Sequence, residues 1–329
     1  MPSLRRALLF SIALVSFARL IEAQQQTDSA KRELVVRLLD VGQGDATYIS
    51  NGSSKILIDG GPSPAVFGRY LDSLSLNNTT IDVVILSHQH LDHYSGLLEL
   101  FKTYRHIRVR SFFENKDPAP AVTLAVLRDS ILSRMDHDSL IYRDTDDPCS
   151  DGHPICTITM SGGAKLHILA PLPNGHGANN RSTAVKLIGP DSASFTMWLA
   201  GDAEHDEISW FETAGYDRNP GMRVSVLKAD HHGSCNGVTP RYLALTNPQW
   251  LVASVGSRNA YGHMHTQAKK IYRAAGIPWY RTDQNGTITI RSPGTVGGGF
   301  TIVPDRAGTD LNGSGDRRSR QEGCVTAIR

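Results

Sequence analysis

The sequence has no surplus of charge of one sign, few cysteines, and no long apolar run outside its first residues. Lys and Arg number 34 against 32 Asp and Glu. Bulk charge therefore gives no argument for nucleic-acid binding, which shows as a basic excess or stripe. Arg108 and Arg110 share one face of the strand-like run from Ile107 to Ser111, which reads as a solvated edge strand. Four cysteines in 329 residues are too few for a disulfide scaffold. Cys149 and Cys156 flank the turn material Ser150-Asp151-Gly152-His153-Pro154, which suits a disulfide in an oxidising compartment. A zinc knuckle is the rival reading, but no second close pair accompanies it. Cys235 and Cys324 stay unassigned. With 40% hydrophobic and 20% charged residues the chain is compositionally globular, which excludes disorder of the whole.

What is present begins with Arg5 and Arg6, an apolar run from Ala7 to Phe17, and small Ala23 before Gln24-Gln25-Gln26. That order predicts a signal peptide over residues 1–23 and a linker over 24–33. The run falls short of the roughly 18–20 residues that span a bilayer. Its removal takes three arginines and one glutamate, so the mature chain is expected to be neutral, soluble, and periplasmic or extracellular.

From Leu34 onward, short β-rich runs alternate with Gly and Asn turn signals, and helical spacing appears over 64–76, 94–101, 121–135, 204–214 and 266–275. Two halves of similar make-up predict an α+β fold: two sheets face to face with helices outside, one domain over 34–292. Past Pro293 the text turns to Gly, Asp, Arg and Ser without periodicity, which predicts a disordered tail over 293–329.

The densest chemistry is Ser87-His88-Gln89-His90-Leu91-Asp92-His93, directly after the apolar run Ile81–Leu86. Four metal-ligand side chains within six residues converge only if the loop turns back over the strand end. Such a loop serves two metals when His88 and His90 point one way and Asp92 and His93 the other. Ala200-Gly201-Asp202 places a carboxylate at another strand end, where its two oxygens suit a bridging role. Lys228-Ala229-Asp230-His231-His232-Gly233-Ser234 adds two imidazoles, of which at least one should be a ligand; the other would orient a ligand, bind substrate or move protons.

In this order these pieces resemble the metallo-β-lactamase superfamily. The motifs Leu39-Asp40-Val41-Gly42-Gln43-Gly44-Asp45-Ala46, Leu57-Ile58-Asp59-Gly60-Gly61, Asn180-Arg181-Ser182, Tyr261-Gly262-His263 and Thr282-Asp283-Gln284-Asn285-Gly286 extend the resemblance to one branch, the extracytoplasmic hydrolase domain of ComEC competence proteins. The resemblance covers about residues 34–292 and implies the four-layered αββα sandwich. It makes His88, His90, Asp92, His93 and Asp202 metal ligands, with His231 or His232 completing the second site. It makes Asp59 a support under the loop. Asp40 and Asp45 sit on the neighbouring loop, either lining the cleft or forming the turn. His263 is read as substrate-side or proton-donating, against a plain loop histidine. Asp92, His231 and His263 are the expected catalytic groups.

Lactamases and glyoxalases of the superfamily carry a third histidine before the Gly-Asp strand, where this chain has Asn179-Asn180-Arg181-Ser182. One metal site is then under-ligated unless water, substrate, His263 or the nearby His176 fills it. The expected cofactor is one or two divalent ions, zinc first and manganese or iron next, because histidine and carboxylate donors accommodate each. No serine or cysteine nucleophile is needed, and paired cations suit an electrophile with anionic oxygens. The expectation is a phosphodiester substrate, in nucleic acid or a phosphorylated envelope polymer, with no transmembrane partner implied. Amide or ester hydrolysis of the β-lactam type, and a metal-binding module without turnover, are the competing readings.

Overall fold

The computed structural model describes residues 32–307, apart from 77, 78, 119, 120 and 258. The expected signal peptide, almost all of the expected linker and residues 308–329 of the expected tail lie outside the described residues.

Short runs rich in apolar residues, most of them buried throughout, build two sheets. The first carries, in chain order, β1 Leu34–Leu38, β2 Thr47–Asn51, β3 Ser54–Ile58, β4 Thr80–Ile85, β5 Arg108–Glu114, β6 Ile141–Asp144, and at the other end β14 Ile288–Ser292 and β15 Thr301–Pro304. The second carries β7 Ile155–Thr159, β8 Lys165–Leu169, β9 Ala184–Ile188, β10 Thr196–Leu199, β11 Val226–Lys228, β12 Trp250–Ala253 and β13 Trp279–Arg281. Strand order is β15-β14-β1-β2-β3-β4-β5-β6 in one sheet and β13-β12-β11-β10-β9-β8-β7 in the other.

Each strand in the middle of a sheet has both faces covered. On β4, Val83 and Ile85 enter the core between the sheets, where they meet Val185, Leu199 and Val226, while Ile81 and Val84 enter an outer core. That outer core is closed by helix α1 Pro64–Ser73 and helix α3 Val122–Asp138, through Phe67, Leu71, Leu127 and Ile131. Behind the second sheet, α4 His205–Thr213, α5 Pro240–Thr246 and α6 Thr266–Ala274 close a third core around Trp198, Phe211, Tyr242 and Tyr272. The result is the four-layered αββα sandwich. Its apolar layers are the dominant stabilising term, at roughly 25 cal/mol per Å² buried.

The helices start where their sequences dictate. Ser63 caps α1 by accepting from Val66 N, Thr239 caps α5 by accepting from Tyr242 N, and Pro64 and Pro240 occupy the first turn, where a missing N–H costs nothing.

Strands β3-β4-β5-β6 and β10-β11-β12-β13 run parallel. Parallel neighbours require crossover connections, and the loops leaving their C-terminal ends gather on one edge of the sandwich. The chemistry-bearing segments all leave there: Asp59 after β3, His88–His93 after β4, Asp202 after β10, His231-His232 after β11 and His263 after β12.

Two expectations need correction. The run around Arg108 and Arg110 is not a sheet edge, since β5 pairs with both β4 and β6. Its neighbour Ile141-Tyr142-Arg143-Asp144 has no apolar alternation, so nothing in the text announced another strand. The domain also does not end at residue 292. Thr301–Pro304 pairs with β14 in antiparallel register, and Asp305 N returns to Thr287 O at 3.0 Å. Glycines 297–299 mark a connection between those strands rather than the start of a disordered tail.

Candidate metal centre

The loop after β4 is folded back by Asp59. Its carboxylate accepts from Ser87 N and Ser87 Oγ, each at 2.7 Å, and lies 2.9 Å from His93 Nδ1. Holding Nδ1 fixes the imidazole so that Nε2 faces the centre, an arrangement that raises ligand basicity. Asp59 takes a positive φ of 60° to do this, and Gly44 lies so close that a Cβ there would meet Asp92 O at 2.2 Å. Glycine is required by that approach. Helix α2, Leu91–Tyr94, then carries Asp92 and His93 in its first turn.

Asp202 is placed by its own backbone N, which donates to Ser182 Oγ at 3.1 Å. Its Oδ2 lies 3.3 Å from both His93 Nε2 and His232 Nε2, and 3.7 Å from His88 Nε2. His232 Nε2 is also 3.2 Å from Asp92 Oδ2, and its Nδ1 lies 3.0 Å from Ser254 O, which turns Nε2 inward. His88 Nε2 and His90 Nδ1 stand 3.1 Å apart. Besides the buried set Asp45, Asp59 and His93, two donor groups follow: Asp92, His93, Asp202 and His232, and beside them His88, His90 and Asp202. They share Asp202.

These residues fit a divalent cation. His93 Nε2 and Asp202 Oδ1 are buried without a hydrogen-bond partner. Burial opposes charge on His93 and His232, yet Asp202 with Asp59, and Asp202 with Asp45, outweigh it and hold both imidazoles well above their usual range. The same cavity, against the cost of burial, draws Asp92 down to about 2 through His232 and His93. A space this favourable to positive charge takes a metal ion in place of protons. Adding zinc or manganese to the chelator-treated protein is expected to raise the melting temperature. At a hundredfold excess over Kd the gain is about 2.7 kcal/mol, and a calorimetric scan showing no shift with either ion would refute the donor assignment.

Of the 231–232 pair, His232 joins the ligand group and His231 joins neither. His231 Nδ1 lies 3.0 Å from Glu204 Oε1, and its Nε2 is 3.8 Å from Asp202. Both histidines hold left-handed backbone, φ 47° and 54°, before Gly233 at 76°. Strain of this kind costs of order 1–3 kcal/mol per residue and collects at functional sites.

His263 lines the same cleft, its ring 5.2 Å from that of His231 and 5.8 Å from that of His232. Gly256 N donates to Gln43 Oε1 at 3.1 Å, which fixes the amide so that Nε2 donates to His263 Nδ1 at 3.3 Å. The ring proton then sits on His263 Nε2. Burial, with the charges of His232 and His231 added, pushes this imidazole down to about 2, so it is a neutral hydrogen-bond donor and not a reservoir of protons. Of the two expected roles, substrate-side or proton-donating, a neutral ring favours the first.

In the 179–182 segment Asn179 lines the cleft, with its Oδ1 buried and without a hydrogen-bond partner, while its neighbours are engaged elsewhere. Asn180 Oδ1 accepts from Glu207 N, Arg181 is ion-paired with Asp117 and Asp146, and neither donor group contains His176. Asp40 lies away from the centre, 3.2 Å from Arg306, and His265 turns instead to Cys235 N at 3.1 Å. Asp45 neither lines the cleft nor merely forms a turn: it is buried against Lys228, 2.6 Å away. Lys228, Glu204 and Gln43 went unassigned in the sequence. A lysine closing the apolar strand Val226–Lys228 was the one available signal.

The metallo-beta-lactamase superfamily model matches residues 39–111, and the chain is similar to that superfamily there. The particular relatives are of the ComEC type. ComE operon protein 3 of Bacillus subtilis is 24% identical over 302 residues, covering 84% of this chain and 35% of the relative. Competence protein ComA of Neisseria gonorrhoeae is 24% identical over 275 residues, covering 78% and 32%. The chain thus spans about a third of the length of these curated relatives. Among solved structures, the metallo-beta-lactamase fold protein YhfI of Bacillus subtilis aligns at 13% identity over 72% of this chain and 93% of its own, with a TM-score of 0.46. Cys149 and Cys156 form a disulfide, so the zinc-knuckle alternative falls. Among the described residues no helix is long and apolar enough to cross a membrane.

Proposed function

We propose that this chain is an exported phosphodiesterase. The observation that carries the reading is the sharing of Asp202 between a four-donor and a three-donor group, the second holding only two histidines. Bound there, two divalent ions would acidify a water and neutralise charge on the oxygens of the phosphorus it attacks. A sparsely liganded position leaves room for an anionic oxygen, which the reacting phosphorus of a phosphodiester carries and the carbonyl carbon of a lactam does not.

The chain's own residues do the rest. His88, His90 and Asp202 would hold one ion; Asp92, His93, Asp202 and His232 would hold the other. His263 Nε2–H donates a hydrogen bond to the substrate from the wall of the cleft. His231, with Glu204 at Nδ1, is positioned to pass a proton to the leaving oxygen.

Among the described residues lining this cleft there is no lysine or arginine. Attraction of an anion therefore falls to the metal ions, which favours local engagement of one phosphodiester over a long electrostatic footprint. Tyr261 is exposed and stacks on His263 at 5.6 Å with an interplanar angle of 20°, a platform on which a nucleobase or similar flat group can lie. Export is supported by the disulfide, which belongs to oxidising compartments, and by the leader-like first 23 residues.

The test is to incubate the zinc- or manganese-loaded protein with bis-p-nitrophenyl phosphate, plasmid DNA and a chromogenic cephalosporin. Turnover of the phosphodiesters is expected. Hydrolysis of the cephalosporin alone would sink the proposal, and bound metal without any turnover would favour a binding module.

A further inference from the structure

The two donor groups around Asp202 are unequal. Asp92, His93, Asp202 and His232 offer four side chains, whereas His88, His90 and Asp202 offer three. Asn179 shares the wall of the cleft with His90, Asp202 and His231. Ala178, directly before it, lines a neighbouring hollow together with His90 and Leu91, so the short turn Asn179–Arg181 runs beside His90.

The amide of Asn179 has one orientation. Its Nδ2 donates to Glu204 Oε1 at 2.9 Å, and because a carboxylate only accepts, the nitrogen faces Glu204 and the oxygen faces away. That oxygen, Oδ1, is buried and has no hydrogen-bond partner. A buried acceptor left unmet is costly, so a partner from the cleft is called for. The turn beneath it is fastened from three sides. Asn180 Oδ1 accepts from Glu207 N at 3.3 Å, Ser182 N donates to Glu207 Oε2 at 2.9 Å, and Asn115 Nδ2 donates to Arg181 O at 2.6 Å.

We propose that Asn179 Oδ1 is a ligand of the divalent ion held by His88, His90 and Asp202. The inference rests on the two-ion reading of the centre and not on its substrate. A carboxamide oxygen adds a donor without adding charge. It is also a hard donor, which suits manganese, where an imidazole in its place would suit zinc. An octahedral ion such as manganese still keeps open positions beyond these four side chains, so the room for an anionic oxygen remains.

The test is a manganese titration of the chelator-treated full chain, with the free ion counted by electron paramagnetic resonance. The parent is expected to bind two ions. Asn179→Ala should weaken one of them by at least about tenfold, since even residues that only orient a ligand are worth about 10–100-fold in metal affinity. The other ion should bind as before. Asn179→His should restore the weakened ion and shift its preference from manganese towards zinc by a similar factor, an effect that a residue acting only through Glu204 would not produce. Parental affinities for both ions in Asn179→Ala, equal loss of both, or a parent that binds a single ion would each overturn the assignment. So would parental metal preference in Asn179→His. Every readout is metal binding, so turnover of phosphodiesters can fail while the ligand assignment stands, and the reverse.

Discussion

Asp202→Asn is expected to lower hydrolysis of bis-p-nitrophenyl phosphate by at least about a thousandfold, on the order of 4 kcal/mol of transition-state stabilisation. The substitution keeps size and planarity, so the far-ultraviolet circular dichroism should not change. It loses the charge and one of the two oxygens. Asp202 Oδ2 lies within 3.3–3.8 Å of four imidazoles, on His88, His93, His231 and His232, and the residue belongs to both donor groups. An amide with a single acceptor oxygen cannot serve both. Metal content measured by mass spectrometry should therefore fall together with the rate. A variant that binds its full metal complement and turns over at the parental rate would show that Asp202 is not shared. His90→Ala should cost rate as well, but it strips one group and spares the four-donor group, so more metal should remain than in Asp202→Asn.

The donors themselves were legible because strand-end loops dense in histidine and aspartate have few other uses. His88–His93, Asp202 and His231-His232 each follow a run whose apolar residues announce a strand, and the structure brings all three segments to one edge. What could not be read was anything set by orientation across the sandwich. Nothing in His231-His232 says which ring turns inward; that follows from Ser254 O on one and Glu204 on the other, distant in the chain. For His263 the sequence left a substrate-side and a proton-donating role side by side; the tautomer that bears on the choice is set by Gln43, some 220 residues away in sequence. The layers were legible from alternating apolar runs, but β6 and β15 were not. Ile141-Tyr142-Arg143-Asp144 and Thr301-Ile302-Val303-Pro304 are short, partly exposed edge strands whose pairing is decided by their neighbours rather than by their own pattern.

Lys228→Met is expected to cost about 3–5 kcal/mol of stability, the penalty for breaking a buried ion pair and leaving one charge behind. For a domain of this size that corresponds to a fall of roughly 10 °C in melting temperature. Lys228 is 2% exposed and Asp45 3%. The ammonium lies 2.6 Å from Asp45 Oδ2 and donates to Gly201 O at 3.0 Å and Ala229 O at 3.1 Å, so its three protons each have a partner. Those carbonyls stand directly before Asp202 and before the Asp230-His231-His232 run, so one side chain fastens both loops to the sheet. Burial alone would favour the neutral amine, but Asp45 and Asp202 overrule it and hold the ammonium above its usual range. In return Lys228 and His232, against burial, hold Asp45 at about 2. Methionine matches the stem and removes the charge, which leaves Asp45 anionic with only the more distant imidazoles of His232 and His93 to offset it. The double variant Lys228→Met with Asp45→Asn should then recover much of the loss, because no isolated buried charge remains. Equal melting temperatures for Lys228→Met and the parent, both stripped of metal, would show that the pair contributes nothing. Additive losses in the double variant would show that Lys228 acts only through Gly201 and Ala229 and not through Asp45.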